Sequence, residues 1–412
     1  MINLLFSDCR YVQRVRRSLL GAHVDALATL LLEQGYSKNT VRHKISVVVD
    51  LDRWLQRKHH RLSDLNEKRA EAFLHFRGSY AVIRCGDSRT LELFIDQLRS
   101  SGAISPPSPK PRESPMGRLL RDYTDYLRQE RGLSKLTIAG YVSRVRSFLY
   151  ERFGNRGIRL RALCQADTNR YIQRKSITFR PATLHGLIAA LRSFFRFLYL
   201  RGDIGTDLAS GVPAVACWRL ATIPKFLTPD EIRRLLDSCD LATIRGQRDY
   251  TVLLLLARLG LRAGELVAMT VDDINWDAGE IMVRGKGKRH DRLPLPKDVG
   301  EALATYLRHG RPACSARHVF VRLYAPHRGF ASSSDISTIV RQAIDRAGLH
   351  PPCKGAHLLR HTLATHMLHR GSSLAEIGEV LRHRCLNTTE IYSKVAIEAL
   401  RALAQPWPGA RV

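Results

Sequence analysis

The C-terminal part of this 412-residue chain contains His357-Leu358-Leu359-Arg360-His361, then His383, and then Thr388-Thr389-Glu390-Ile391-Tyr392. Together these residues supply imidazole bases, an arginine and a phenol, but no cluster of acidic side chains that would hold a metal ion. Phosphodiester chemistry without a metal needs a side-chain nucleophile, and it needs positive charge to stabilise the oxygens on the attacked phosphorus. The stretch therefore indicates phosphoryl transfer with neither a metal nor a cofactor.

The composition of the chain favours the same substrate. It has 66 Lys and Arg against 38 Asp and Glu, a formal net charge of +28, which suits a polyanion such as double-stranded DNA. A membrane surface is the alternative, but the longest apolar run, residues 252–257, is far too short to span a bilayer. The first residues contain no signal-peptide core, and the eight cysteines form no Cys-x-x-Cys pair. We therefore expect a cytoplasmic, nucleoid-associated bacterial protein with no membrane partner and no structural zinc.

Two breaks divide the chain. The first is the proline-rich run 105–111, and the second extends from 209 to 226, just before a helix-start signal at Thr228-Pro229-Asp230-Glu231. We therefore predict six parts: an N-terminal helical domain (1–104), a linker (105–115), a second helical domain (116–208), a linker (209–226), a catalytic domain (227–395) and a tail (396–412).

The two N-terminal domains resemble each other. Gly35-Tyr36-Ser37-Lys38-Asn39-Thr40 recurs as Gly132-Leu133-Ser134-Lys135-Leu136-Thr137, an offset of 97, and apolar positions continue to match up to an offset of 100. This pattern favours a duplication, although any two small helical domains share an apolar rhythm. We expect four or five short helices in each, with Ser-Lys-x-Thr at a helix start.

Basic residues on the polar faces of the second domain, among them Lys135, Arg144 and Arg192, predict a DNA-binding surface; a solvated basic face is the alternative. As a degenerate copy, the first domain is expected to lie on the duplex beside the second and to add phosphate contacts rather than chemistry.

The third domain has a mixed pattern. An apolar helix ends near Gly260, and two strand-like runs, 280–284 and 291–295, flank a basic glycine-rich turn that carries Lys286, Lys288 and Arg289. The remaining runs predict helices, the last of them from 387 to 403. The predicted fold class is mainly α, with a small β-sheet in an α+β catalytic domain and helical domains before it.

Six positions in this domain resemble the tyrosine recombinase (phage integrase) family. They are Arg262 in Gly-Leu-Arg-x-x-Glu-Leu, Lys286 in Gly-Lys-Gly, His357 and Arg360 in His-x-Leu-Arg-His, the isolated His383, and Tyr392 in Thr-Thr-x-Ile-Tyr. Residues 116–208 resemble the SAM-like core-binding domain of the same family.

The chemistry of each side chain suits the role that the resemblance implies. Arg262 and Arg360 would clamp phosphate oxygens, because a guanidinium stays charged and binds two oxygens at once. His357 lies one helical turn from Arg360 and would help to take the tyrosine proton, whereas His361 is expected to point elsewhere. Tyr392 would be the nucleophile that forms a 3′-phosphotyrosine link.

Two further roles concern the leaving group. Lys286 is the candidate general acid, with Lys288 as its rival, and His383 would bind the phosphate or buffer the leaving group. In the family the residue before His383 is usually glycine, but here it is Arg382. This departure leaves the placement of His383 open.

The resemblance also implies partners. Four protomers would act on two paired DNA sites without ATP, metal or other cofactor, and the tail would dock on a neighbouring protomer or on its own domain. Accessory recombinases of the same mobile element remain open, as does the choice between integration, excision and transposition. A type IB topoisomerase and a non-catalytic DNA-binding accessory subunit are the competing functions.

Overall fold

The computed structural model describes residues 1–106, 114–154, 157–216, 223–285, 290–383 and 388–395. These residues form two compact units: one combines residues 1–106 with the chain from Ile223 onward, and the other is the part between them in sequence. Across the described ranges, none of the helices has the length and apolar character needed to span a bilayer.

The first helical segment, residues 1–106, has its own apolar core, built from six α-helices rather than the four or five predicted. A Ser37 N-cap begins the longest of them, and the Ser37 hydroxyl accepts a hydrogen bond from the Thr40 backbone N–H. The helices are α1 (Ile2–Leu5), α2 (Cys9–Arg16), α3 (Gly21–Glu33), α4 (Lys38–Arg57), α5 (Glu67–Arg77) and α6 (Asp87–Ser100).

The second helical segment, residues 114–216, packs its four helices around a separate core rich in aromatic rings, including Tyr123, Phe148 and Phe194. Ser134 is the N-cap of its second helix, as predicted from Ser-Lys-x-Thr. The helices are α7 (Pro115–Gln129), α8 (Lys135–Phe153), α9 (Gln165–Thr178) and α10 (Pro181–Leu200).

The third segment, from residue 223 on, contains the mixed part of the fold. Its elements are α11 (Pro229–Asp237), α12 (Ile244–Leu259), α13 (Ala263–Ala268), β1 (Ile274–Asn275), β2 (Glu280–Arg284), β3 (His290–Pro294), α14 (Lys297–Thr305), a π-helical turn (Tyr306–Gly310), α15 (Ser333–Arg346), α16 (Ala356–His369), α17 (Leu374–Val380) and a 3₁₀ helix (Glu390–Val395). The strands form an antiparallel sheet in the order β1-β2-β3.

Helix α12 lies at the centre of this segment. Its residues Val252 to Leu256 are buried, and it packs against α14, α15 and α16. An amphipathic helix buries one face, whereas α12 is enclosed on several sides, which explains its continuous apolar run. The strongly buried α12 thereby fixes the positions of both the loop that follows it and α16.

The predicted fold class is confirmed, as is the helix start at Thr228, where Thr228 and Glu231 form a reciprocal capping box. The two predicted strands also form, with Glu280 paired to Pro294 and Arg284 to His290. Most of the proline-rich run, part of the 209–226 break and the tail from 396 lie outside the described residues.

Candidate active site

The site begins where α12 ends. Gly260 has a φ of +56°, a left-handed conformation that reverses the chain and leads directly into Arg262. A Cβ atom on Gly260 would lie 2.7 Å from Leu381 Cδ2 and 3.0 Å from Leu363 Cδ2. The position therefore requires glycine both for its backbone angle and for its close neighbours.

Arg262 is the N-cap residue of α13 and is held by the carboxylate of Glu265. Its backbone N–H donates to Glu265 Oε2 at 2.9 Å, and its Nη1 donates to Glu265 Oε1 at 2.6 Å. Its Nη2 donates to the backbone carbonyl of Arg382 at 3.3 Å. The side chain is 33% exposed, so its remaining donor capacity is open to a phosphate.

Arg360, on α16, is almost completely buried. Its guanidinium donates to the backbone carbonyls of Gly260 and Leu381, so it fastens α16 to the turns after α12 and α17. Burial, together with the positive charges of Arg262 and Arg382, lowers the pKa of Arg360 to about 10. Within the described residues, Glu265 is the carboxylate that acts on Arg360, and it is hydrogen-bonded to Arg262 and Arg382, so this cluster of arginines favours binding of an anion.

The expectation for His361 is wrong. Its Nδ1 lies 2.8 Å from the hydroxyl of Tyr392, whereas it was expected to point away from the site. On a helix both i+3 and i+4 neighbours share a face, so His361 flanks His357 as closely as Arg360 does. The ring centroids of His357 and His361 are 6.4 Å apart.

Both of these histidines are biased toward the neutral form. Burial, then Arg360 and Arg262, lower the pKa of His357; burial, then His357 and Arg360, lower the pKa of His361. A neutral imidazole can accept a proton at neutral pH.

Tyr392 is in contact with this cluster from the 3₁₀ helix. The side chain is 1% exposed, and burial raises the pKa of its phenol to about 12, although Arg360 opposes the shift. It packs in a small apolar cluster with Ile377 and Leu381. The predicted helix from 387 to 403 is only partly within the described residues, and there its turns are 3₁₀ rather than α.

His383 follows α17. Its Nδ1 lies 2.8 Å from the Thr389 hydroxyl, and burial plus the positive charge of Arg360 and Arg262 lower its pKa to about 4. The preceding residue, Arg382, has a φ of +54°. For a non-glycine residue this conformation costs about 1–2 kcal/mol, which is a physical reason for glycine at this position.

The structure describes five of the six predicted catalytic residues, all in one cluster around Arg360. Lys286, Lys288 and Arg289 lie outside the described residues. On either side of this stretch, Arg284 and His290 are paired across β2 and β3.

The predicted DNA-binding residues of the second helical segment differ in their surroundings. Lys135 is exposed in the first turn of α8. Arg144 lies beside Gly140 and Gly186, whose missing side chains leave room for its guanidinium. Arg192 Nη2 donates to the Val212 carbonyl at 2.7 Å, a bond that ties α10 to the following loop and that the sequence did not reveal.

Sequence reasoning also missed Glu265 and Thr389. The first had a readable signal, because Glu at the third position of a helix is the usual capping partner of the N-cap residue. The second had none, since the contact of Thr389 with His383 depends on how the 3₁₀ helix packs.

Comparison with known proteins shows the family of this chain. Residues 225–398 match the Phage integrase family, and residues 120–202 match the phage integrase N-terminal SAM-like domain. The putative integrase/recombinase y4rA of Sinorhizobium fredii is 42% identical over 388 residues, covering 94% of both chains. Tyrosine recombinase XerC of Bacillus pumilus is 32% identical over 300 residues, covering 69% of this chain and 94% of that protein.

Solved structures share the fold. The XerH recombinase bound to a palindromic difH substrate superimposes with a TM-score of 0.58 at 18% identity, covering 72% of this chain and 98% of that one. The Tn1549 transposon integrase in complex with circular intermediate DNA gives a TM-score of 0.51 at 16% identity, covering 70% and 99%. On sequence, motif and fold together, this chain belongs to the phage integrase family, that of the tyrosine recombinases, enzymes that break and rejoin DNA strands.

Proposed function

We propose that this chain is a site-specific DNA recombinase that uses Tyr392 as its nucleophile, and that it serves the integration, excision or transposition of a mobile element. The observation that carries the proposal is the contact between the Tyr392 hydroxyl and His361 beside the buried Arg360. A phenol, a neutral base and a buried cation are the groups that metal-free attack on a phosphodiester requires.

In the cleavage step, the Tyr392 oxygen attacks the phosphorus and a P–O bond forms as the bond to the 5′-oxygen breaks. The phenol proton passes to a neighbouring base, and the departing 5′-oxygen takes a proton from a general acid. The product is a 3′-phosphotyrosine and a free 5′-hydroxyl. Rejoining reverses these steps with the 5′-hydroxyl of the other duplex, so the phosphodiester bond energy is conserved and no ATP is needed.

His361 is the base that geometry favours. Its Nδ1 is already within hydrogen-bonding distance of the phenol, and its lowered pKa keeps it neutral at physiological pH. We assign His357 instead to the phosphate oxygens, together with Arg262, Arg360 and His383. This assignment transfers the role of base from His357, to which the family motif gives it, to His361, to which the motif gives no role.

Lys286 remains the proposed general acid and Lys288 its rival. An ammonium at the end of a flexible stem on a hairpin turn suits a group that must approach the leaving oxygen only when DNA is bound. Lys288 and Arg289 would otherwise contact the DNA backbone, as would Lys135, Arg144 and, with its unengaged nitrogens, Arg192.

The predicted division into domains belongs to the same proposal: 116–208 as the core-binding domain and 227–395 as the catalytic domain, with 1–104 as a diverged copy of the former. Four protomers would act on two paired sites in the bacterial cytoplasm, on nucleoid DNA, with or without accessory recombinases of the same element.

The test is covalent trapping. First, the natural sites are obtained by sequencing the 3′ ends that remain covalently attached to the protein in cells. A nicked duplex of that sequence, which loses its 5′-hydroxyl fragment after cleavage, should then trap the wild-type protein as a gel-stable adduct without added magnesium.

Tyr392→Phe should abolish the adduct and leave DNA affinity within a few fold, because it removes one hydroxyl and no charge. Tyr324→Phe is the matched control, since Tyr324 is exposed and its hydroxyl contacts Arg245 instead. An adduct from Tyr392→Phe, or a strict need for a divalent ion, would contradict the assignment. Relaxation of supercoils without exchange between two sites would favour the topoisomerase function.

A further inference from the structure

Arg382 occupies the position before His383 at which the family usually has glycine. Its backbone adopts the left-handed conformation that glycine prefers, yet its side chain is only 7% exposed. A long, charged side chain that is both strained and buried must make contacts that offset these costs.

The contacts of Arg382 reach two parts of the site. Its Nη2 donates to Glu265 Oε2 at 2.9 Å, and its backbone carbonyl accepts from Arg262 Nη2. On its other side, Nε lies 4.0 Å from Asp291 Oδ2. Asp291 is on β3. Arg382 thus lies between Glu265 and the start of β3.

The positive charge of Arg382 also affects the charge balance around Glu265. Glu265 is 4% exposed and is shared by Arg262 and Arg382. If Arg262 were its only partner, the carboxylate would neutralise that half of the clamp. With Arg382 present, one positive charge remains in excess for the incoming phosphate.

We propose that Arg382 is a positioning residue that holds Glu265 so that Arg262 stays available to the phosphate. The inference rests on the proposed function, because that function assigns Arg262 to the reaction. It gives this chain a device that a glycine at the same position cannot provide.

The first test is Arg382→Gly in the full-length protein, assayed on the nicked duplex described above. Glycine suits the backbone angle, so the fold should be retained and the melting temperature should change little. The cleavage rate should fall on the order of 10- to 100-fold, the scale expected when reacting groups are slightly misplaced. DNA affinity should remain within a few fold.

Glu265→Gln provides a readout that a merely structural role would not move. Glutamine keeps a hydrogen-bond acceptor for Arg262 but removes the charge that Arg382 offsets. In the Glu265→Gln background, Arg382→Gly should lower the cleavage rate by only about threefold or less, because the two substitutions act on one interaction. Arg382→Lys keeps the charge but has one ammonium instead of a planar guanidinium. Its cleavage rate should lie between those of the wild type and Arg382→Gly.

Two results would overturn the proposal. One is a cleavage rate of Arg382→Gly within twofold of the wild-type rate. The other is that Arg382→Gly lowers the cleavage rate by the same factor in the Glu265→Gln background as in the wild-type background. If Arg382→Gly fails to fold, the same comparison is made with Arg382→Lys. The wild-type adduct, measured in parallel, separates these outcomes from failure of the proposed function: with no wild-type adduct through Tyr392, the proposed function fails, and the inference that rests on it fails too.

Discussion

The two helical segments of this chain have the same order of elements but different charges on equivalent faces. In both, a helix is followed by a serine-capped helix, a 3₁₀ turn and two further helices. Ser37 and Ser134 accept from Thr40 and Thr137 at the same 3.3 Å, and both hydroxyl pairs are 2.9 Å apart. Such agreement in local detail favours the duplication predicted from sequence.

The matching positions in the cores are apolar in both segments. At an offset of 97 in the capped helix and 100 in the last helix, buried residues correspond pairwise: Val41 and Ile138, Val48 and Val145, Leu51 and Phe148, Leu91 and Leu191, Phe94 and Phe194, Leu98 and Leu198. These side chains define the packing of α4 with α6 and of α8 with α10. Core positions are therefore retained where the fold needs them.

The polar faces do not correspond. At the same offsets, four basic residues of the second segment are replaced in the first by residues without positive charge: Arg144 by Val47, Arg146 by Val49, Arg192 by Glu92 and Arg196 by Asp96. Val47 and Val49 are buried, and Val49 lines a cavity together with Arg10 and Arg14 of α2. The added N-terminal helices thus cover a face that the second segment leaves open.

The two segments therefore share core positions but differ in charge at these four positions. At these four positions the second segment has arginines that could bind phosphates, whereas the first has none. The arginines of the first segment near this face, Arg10, Arg14, Arg17 and Arg53, line the cavity beside Val49 instead. That the first segment adds phosphate contacts beside the second stays a prediction, and these four positions do not supply such contacts. Three experiments can test whether this difference in charge affects DNA binding.

The largest effect is expected from charge reversal in the second segment. The triple variant Arg144→Glu, Arg146→Glu, Arg196→Glu should lower DNA affinity on the order of 100-fold at moderate salt, because several phosphate contacts become repulsive. Fluorescence anisotropy with a labelled duplex measures it.

The matched control for that variant is Arg10→Glu with Arg14→Glu in the first segment, which should change affinity by less than about threefold. Equal losses from the two variants would mean that both segments bind DNA and that the contrast in charge has no functional meaning.

A smaller effect is expected from removing the first segment. A protein that begins at Ser114, the N-cap of α7, should keep the slope of log affinity against log salt to within about 0.9, the contribution of one phosphate contact. A slope shallower by two contacts or more, with a shorter footprint, would restore the expectation drawn from sequence.

The smallest effect is expected from restoring charge to the first segment. Glu92→Arg with Asp96→Arg recreates the basic pair of α10 on α6, where both native residues are exposed. If this face is remote from DNA, affinity on the natural site should stay within about twofold and the salt slope should not change. A tighter complex with a steeper slope would place the face against the duplex.

Local rules made much of the fold predictable. The capping box at Thr228, the serine caps at Ser37 and Ser134, and the pairing of strands 280–284 and 290–294 all depend on residues close together in sequence. Such signals need no knowledge of tertiary packing.

The site was predictable only as far as its motifs reach. Helical spacing places Arg360 and His361 on either side of His357, so it cannot decide which of them meets Tyr392, 31 residues later. The contact between Arg382 and Glu265 spans 117 residues and depends on the reversal at Gly260. The bond from Arg192 to the Val212 carbonyl likewise follows from loop packing.

Because of Gly260, an intact set of proposed catalytic residues is not sufficient to identify a related gene that encodes an active enzyme. Its carbonyl holds Arg360, and a side chain there would press on the fully buried Leu381 in a backbone conformation unsuited to it. A gene copy in which Gly260 alone has become valine would retain all six proposed catalytic residues, and we would still expect it to encode an inactive enzyme. Surveys that separate working recombinase genes from decaying copies should therefore check this glycine along with the residues that perform the reaction.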